Sequence, residues 1–65
     1  MAIHSPGYDP GCSYGWKVDE PVGEGDAESF VARTFHNRAP VSRPFGSYLE
    51  AASWARDVWI GDIEP

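Results

Sequence analysis

Phe45-Gly46-Ser47-Tyr48-Leu49-Glu50-Ala51-Ala52-Ser53-Trp54-Ala55-Arg56-Asp57-Val58-Trp59-Ile60-Gly61 carries both ends of a helix. Ser47 is a good N-cap, and Glu50 three residues on completes a capping box. Gly61 fits the position just past the end, where glycine adopts a left-handed conformation without steric cost. Between them stand three alanines and no proline. At about 100° per residue, Tyr48, Ala51, Ala52, Ala55, Val58 and Trp59 share one face. Glu50, Ser53 and Asp57 share the opposite face, with Leu49, Trp54 and Ile60 on the flanks. The pattern predicts a helix that buries its small residues against a closely approaching sheet. A second reading has Trp54 or Leu49 protrude toward a partner, since aromatic and apolar anchors serve interfaces as well as cores.

Upstream of the helix the chain reads as strands. Tyr14 to Asp19 alternates Tyr14, Trp16 and Val18 against Gly15, Lys17 and Asp19, the period of a half-buried strand. Pro21 ends it, and Glu20 to Ala27 is a polar loop with two glycines. Ser29 to His36 supports two patterns. As a strand, Phe30, Ala32 and Thr34 oppose Val31, Arg33 and Phe35. As a helix, Asp26 caps a stripe of Phe30, Val31, Thr34 and Phe35. Its β-branched and aromatic content favours the strand. Asn37 to Pro44, with two prolines, should be extended, with Ala39 to Ser42 as a short edge strand. Residues 1–13 read as an irregular arm whose Tyr8-Asp9-Pro10-Gly11 has turn chemistry; residues 14–60 read as the folded core and 61–65 as a short tail.

The expected fold is therefore α+β: an antiparallel hairpin or small three-stranded sheet, with one C-terminal helix packed on a face. Trp16, Val18, Phe45, Tyr48, Ala52, Ala55 and Trp59 are its expected core. Sixty-five residues make one domain, and a chain of that size buries only about 60% of its unfolded surface. Three each of Trp, Tyr and Phe offset this, because each ring buries on the order of 150–250 Å². Monomer and homodimer are both open, as small domains without staples often associate. The single cysteine, Cys12, excludes an intramolecular disulfide and fits a reducing compartment. No long apolar run predicts a membrane span, and the first residues lack signal-peptide character. A cytoplasmic location is the resulting expectation.

Ten acidic residues face five basic ones, for a net charge of −5. The charges are segregated along the sequence. Asp19, Glu20, Glu24, Asp26 and Glu28 contain no base among them, and Arg33, His36, Arg38 and Arg43 contain no acid. The first block predicts an acidic surface for a protein partner with a basic face. The second, with sheet aromatics such as Tyr14, Trp16 and Phe35, predicts the alternative: a nucleic-acid-binding face. The overall acidic balance disfavours nucleic acid.

Catalytic and metal patterns are sparse. His4, Asp9, Cys12 and His36 match no zinc spacing. Nothing in the sequence pairs Cys12 with a base or lowers its pKa. Gly23-Glu24-Gly25 is a flexible turn, and no phosphate-loop pattern occurs. The expectation is a protein without cofactor, metal or catalytic residues.

The motif Phe45-x-Ser47-x-x-Glu50-Ala51-x-x-Trp54-Ala55, preceded by two expected strands, resembles the small strand-strand-helix modules of phages. The layout is similar to the arm-type N-terminal DNA-binding domain of phage integrases, and to a short phage inhibitor of host RNA polymerase. The first resemblance implies DNA binding and the second a protein target. Integrase arm domains are basic and this chain is acidic, so the resemblance points to a phage-type accessory or inhibitor protein acting on a host protein.

Overall fold

A computed structural model describes residues 5–21 and 29–65. It contains a four-stranded antiparallel sheet in the order β1-β2-β3-β4, with one helix after it. The strands are β1 (Gly7–Asp9), β2 (Tyr14–Asp19), β3 (Phe30–His36) and β4 (Ala39–Phe45), and the helix is α1 (Tyr48–Ile60). The α+β class is as expected, with two differences. β4 runs three residues beyond Ser42, and the N-terminal segment adds a fourth strand.

That fourth strand depends on close backbone approach. Gly7, Tyr8 and Asp9 pair with Trp16, Gly15 and Tyr14. Gly15 has φ +85°, and a Cβ placed on it would lie 1.7 Å from the Gly7 carbonyl oxygen. Only glycine combines that conformation with that proximity. The Ser5 hydroxyl donates to the Trp16 carbonyl, continuing the edge by one side-chain bond.

Ser29 to His36 resolves as strand because β3 has a partner on each side. Lys17 to Asp19 pair with Arg33 to Val31 on one side, and Ala39 to Phe45 pair with His36 to Phe30 on the other. The β3–β4 turn has two residues, Asn37 and Arg38, at φ 54° and 69°. Positive φ at both is the type I′ signature that matches strand twist. The pair flanking such a turn, His36 and Ala39, is hydrogen-bonded, and bonded pairs then alternate. Pro40 and Pro44 therefore fall where the backbone faces outward and no ladder bond is lost. They leave Ser42 as the one amide donor on the outer edge between Pro40 and Pro44, which discourages edge pairing.

The Ser47 N-cap and the Gly61 C-cap form as the sequence indicates, whereas only the Ser47 half of the capping box is made. The Glu50 amide donates to Ser47 Oγ at 3.2 Å. Gly61, at φ 89°, donates to Val58 O at 3.1 Å, and the Asp62 amide reaches Asp57 O at 2.8 Å, a Schellman closure.

The core lies between α1 and one sheet face. Trp16, Ala32, Ala51, Ala52, Trp54, Ala55 and Val58 form it, with Val18, Phe30, Val41, Phe45 and Trp59 packed around them. Ala32 and three helix alanines are fully inaccessible, which lets the helix backbone approach the sheet closely. Thr34 is also inaccessible, and its hydroxyl donates to Gly15 O at 3.1 Å. Of the expected core, Trp16, Ala52 and Ala55 are buried, Val18, Phe45 and Trp59 pack around them partly buried, and Tyr48 is the correction. Tyr48 is 40% exposed, and Trp59 is half-buried, edge-on to Tyr14 at 5.2 Å. The buried arc is rotated toward Trp54, which is 8% exposed. The reason is Phe45, whose ring stands 5.6 Å from that of Trp54 and walls it in. Trp54 is therefore a core residue and does not protrude; Leu49, at 59% exposure, does.

Candidate interaction surfaces

The register fixes which side chains share the sheet face away from α1. Trp16, Val18, Ala32, Thr34, Val41 and Phe45 face the helix, so Lys17, Asp19, Val31, Arg33, Phe35, Pro40, Ser42 and Pro44 face away. Tyr8, paired with Gly15, joins this open face. Its ring stacks on Phe35 at 5.2 Å between centroids, leaving Phe35 only 4% exposed. Lys17 Nζ lies 4.9 Å from the Tyr8 centroid. The N-terminal segment thus supplies a partial second layer.

Beside that aromatic pair is a charge cluster. Arg33 Nε donates to Asp19 Oδ2, and Lys17 Nζ lies 3.4 Å from Asp19 Oδ1. The hydrogen bond from Arg33, and secondarily Lys17, holds the Asp19 carboxyl below the usual carboxylate range. Pro21, Val31, Arg33 and Asp19 also border an open hollow of about 580 Å³ at the end of β2 and β3.

The acidic block divides accordingly. Asp19 is engaged with cations from both neighbouring strand positions, and Glu20 is exposed directly beyond it. Glu24, Asp26 and Glu28 lie outside the described residues. The arginine block does not form one face. Arg33 is on the open sheet face, and Arg43 is on the helix side of edge strand β4, 5.6 Å from the Phe45 centroid. Arg38 sits in the β3–β4 turn, its carbonyl accepting from Ser13 Oγ at 3.3 Å. There it lines a second hollow of about 340 Å³, with His36, Asn37, Trp59 and Ile60. The aromatics expected beside these arginines are engaged elsewhere: Trp16 is 1% exposed, Phe35 is under Tyr8, and Tyr14 leans on Trp59.

Cys12 is exposed, and the nearby Asp9 carboxylate, through a hydrogen bond and its charge, raises the thiol pKa. That direction keeps it protonated at neutral pH, the opposite of an activated nucleophile. Among the described residues no group of three or more His, Cys, Asp or Glu side chains is placed to hold a metal ion. His4 lies outside them. No described helix is long and apolar enough to cross a membrane.

One feature was missed by sequence reasoning: Lys17 and Asp19 share the strand face opposite Trp16, and the β2–β3 register adds Arg33 to them. Leu49 protrudes as the second reading of the helix expected, while Trp54 does not. Comparison with protein-family models, with curated proteins and with solved structures finds no match to this chain.

Proposed function

We propose that the protein is a non-enzymatic protein-binding module whose acidic run, Asp19 to Glu28, meets a basic surface on its partner. The observation that carries this reading is the fate of the two charge blocks. Arg33, Arg38 and Arg43 diverge to the open face, the turn and the helix-side edge; of the aromatics beside them, Trp16 and Phe35 are buried, and Tyr14, half-exposed, leans on Trp59. In the described part of the acidic run, Arg33 and Lys17 hold Asp19 at the end of β2 and Glu20 is exposed beyond it. Like-signed charges on one stretch steer a basic partner and raise its rate of encounter. A phage-type accessory or inhibitor protein acting inside a host cell would use such a surface.

The test is a full-length variant with Asp19, Glu20, Glu24, Asp26 and Glu28 changed to Asn or Gln. Tagged forms of both chains are used to capture proteins from a cell lysate at low and high salt. The reading expects a basic protein that the original chain retains and the variant loses, with the difference shrinking as salt screens the charges. Equal retention refutes it. Tight binding of DNA by the original chain at physiological salt, weakened by Arg33, Arg38 or Arg43 to Ala, supports the nucleic-acid alternative instead.

A further inference from the structure

Among the described residues, the large apolar side chains that remain exposed are Tyr14, Tyr48, Leu49, Ile60 and Ile63. All five lie on α1, just beyond it, or against it, since Tyr14 contacts Trp59. At 100° per residue, Leu49, Ser53, Arg56 and Ile60 fall within an arc of about 60° on the solvent side of the helix. Leu49 and Ile60 are each 59% exposed and mark the ends of that stripe, about 16 Å apart at 1.5 Å per residue.

The stripe has two unlike borders. Tyr48 and Trp59 line one side, and Glu50 and Asp57 the other. Asp62 and Glu64 follow just past the helix end, both exposed. Arg56 is the one base on this face, and its guanidinium is held by Asp57 at 3.1 Å. The last helical turn contains no basic residue, although cations there would complement the helix dipole. Negative potential therefore gathers where two isoleucines are exposed.

A second copy of the chain is a poor occupant. The spacing of 49, 53, 56 and 60 is symmetric, so an antiparallel two-fold would seat Leu49 on the partner's Ile60. The same operation sets Glu50 against the partner's Asp57, carboxylate against carboxylate. We propose that this face docks a basic amphipathic segment of another protein, its apolar residues on Leu49 and Ile60 and its Lys or Arg side chains along Glu50, Asp57 and Asp62. Helix-in-groove recognition has this chemistry. The proposal rests on the protein-binding reading above but assigns the contact to a different surface.

The test uses the full chain, labelled with 15N, and three synthetic 14-residue peptides. One is an amphipathic Leu/Lys helix, one its Leu/Glu counterpart, and one a scrambled Leu/Lys sequence of equal charge. The expected result is saturable shifts confined to the amides of 48–63 with the first peptide, none with the second, and at least tenfold weaker binding of the third. Leu49→Ser with Ile60→Ser should lower affinity at least tenfold while leaving the circular dichroism unchanged. Glu50→Gln with Asp62→Asn should weaken binding and flatten its salt dependence. The variant neutralised from Asp19 to Glu28 should bind the Leu/Lys peptide at the helix as the original does, which separates this face from the first. Shifts centred on the sheet, affinity unchanged by the Leu49 and Ile60 substitutions, or concentration-dependent dimerisation through 48–63 would each overturn the proposal.

Discussion

Gly15 and Gly61 offer a controlled comparison of backbone strain with steric exclusion. Both have nearly the same positive φ, 85° and 89°, which favours glycine. Alanine at either site incurs the cost of a Cβ in that region, about 1–2 kcal/mol. At Gly61 the cost ends there, because no atom lies within 4 Å of the added Cβ. At Gly15 the Cβ would sit 1.7 Å from the Gly7 oxygen and 2.7 Å from its carbonyl carbon. Both are backbone atoms of the paired strand, so β1 must leave. Its departure forfeits the Tyr8–Phe35 stack, about 0.5–1.5 kcal/mol, and uncovers Phe35, about 1.5–3 kcal/mol. The expected extra loss is thus about 2–4.5 kcal/mol, against a total stability of about 3–10 kcal/mol for a chain of this length.

Urea denaturation of Gly15→Ala and Gly61→Ala, at matched m-values, measures that difference. Hydrogen exchange adds the location: Gly15→Ala should expose the amides of 7–9 and 14–16 ahead of those in β3 and α1. Two variants within about 1 kcal/mol of each other, with β1 amides still protected, would refute the steric argument. They would show that the β1–β2 contact relaxes without separating.

Three further outcomes follow from packing and charge. Trp54→Ala should cost about 3–5 kcal/mol, as a buried aromatic deletion does, and Trp59→Ala distinctly less, because Trp59 is half-buried; urea midpoints in the reverse order would contradict the observed helix rotation. Arg38→Gly should stabilise the fold by about 0.5–1 kcal/mol, since glycine relieves the φ of 69° at the second turn position, and a lower melting temperature would count against strain there. Asp19, with its folded pKa below the unfolded value near 3.9, adds stability that is present above about pH 4 and lost as pH falls through the folded pKa; Asp19→Asn should be less stable than the original chain at pH 7, with the gap narrowing as pH falls into the acid range, and a pH-independent gap would refute the ion-pair account.

What the sequence disclosed and what it withheld divide along the range of the interactions. The helix was legible to the residue because its caps are local: Ser47 needs only the Glu50 amide, and Gly61 only the last turn. Tyr14 to Asp19 was legible because alternation is local too. The state of Ser29 to His36 depended on partners on both sides, which no window of eight residues contains. β1 escaped because three residues carry no periodicity, and its warrant is a contact between two glycines eight positions apart. The helix rotation was missed by one flank, since a wide apolar arc does not say which edge Phe45 will cover.

The charge blocks fail for a reason that register makes explicit. In β3 and β4 every pair sums to 75, as His36 with Ala39 or Arg33 with Ser42. Paired residues share a face, and faces alternate along each strand. Arg33 therefore shares its face with even-numbered β4 positions, and Arg43, being odd, must point to the other. A turn one residue longer would have put both arginines on one face and assembled much of the basic surface that the sequence suggests. Conversely, Asp19 and Arg33, one from each block, meet beside Lys17 because Lys17 pairs with Arg33 and Asp19 stands two residues along. Sequence proximity collects charges of one sign. The two-residue turn and the β2–β3 register redistribute them, neutralising Asp19 on the sheet. Among the described residues, Glu20 stays exposed at the end of β2, Asp57 is held by Arg56, and Glu50, Asp62 and Glu64 carry the charge of the helix and its tail, the stretch that exposes Leu49, Ile60 and Ile63 to a basic apolar partner.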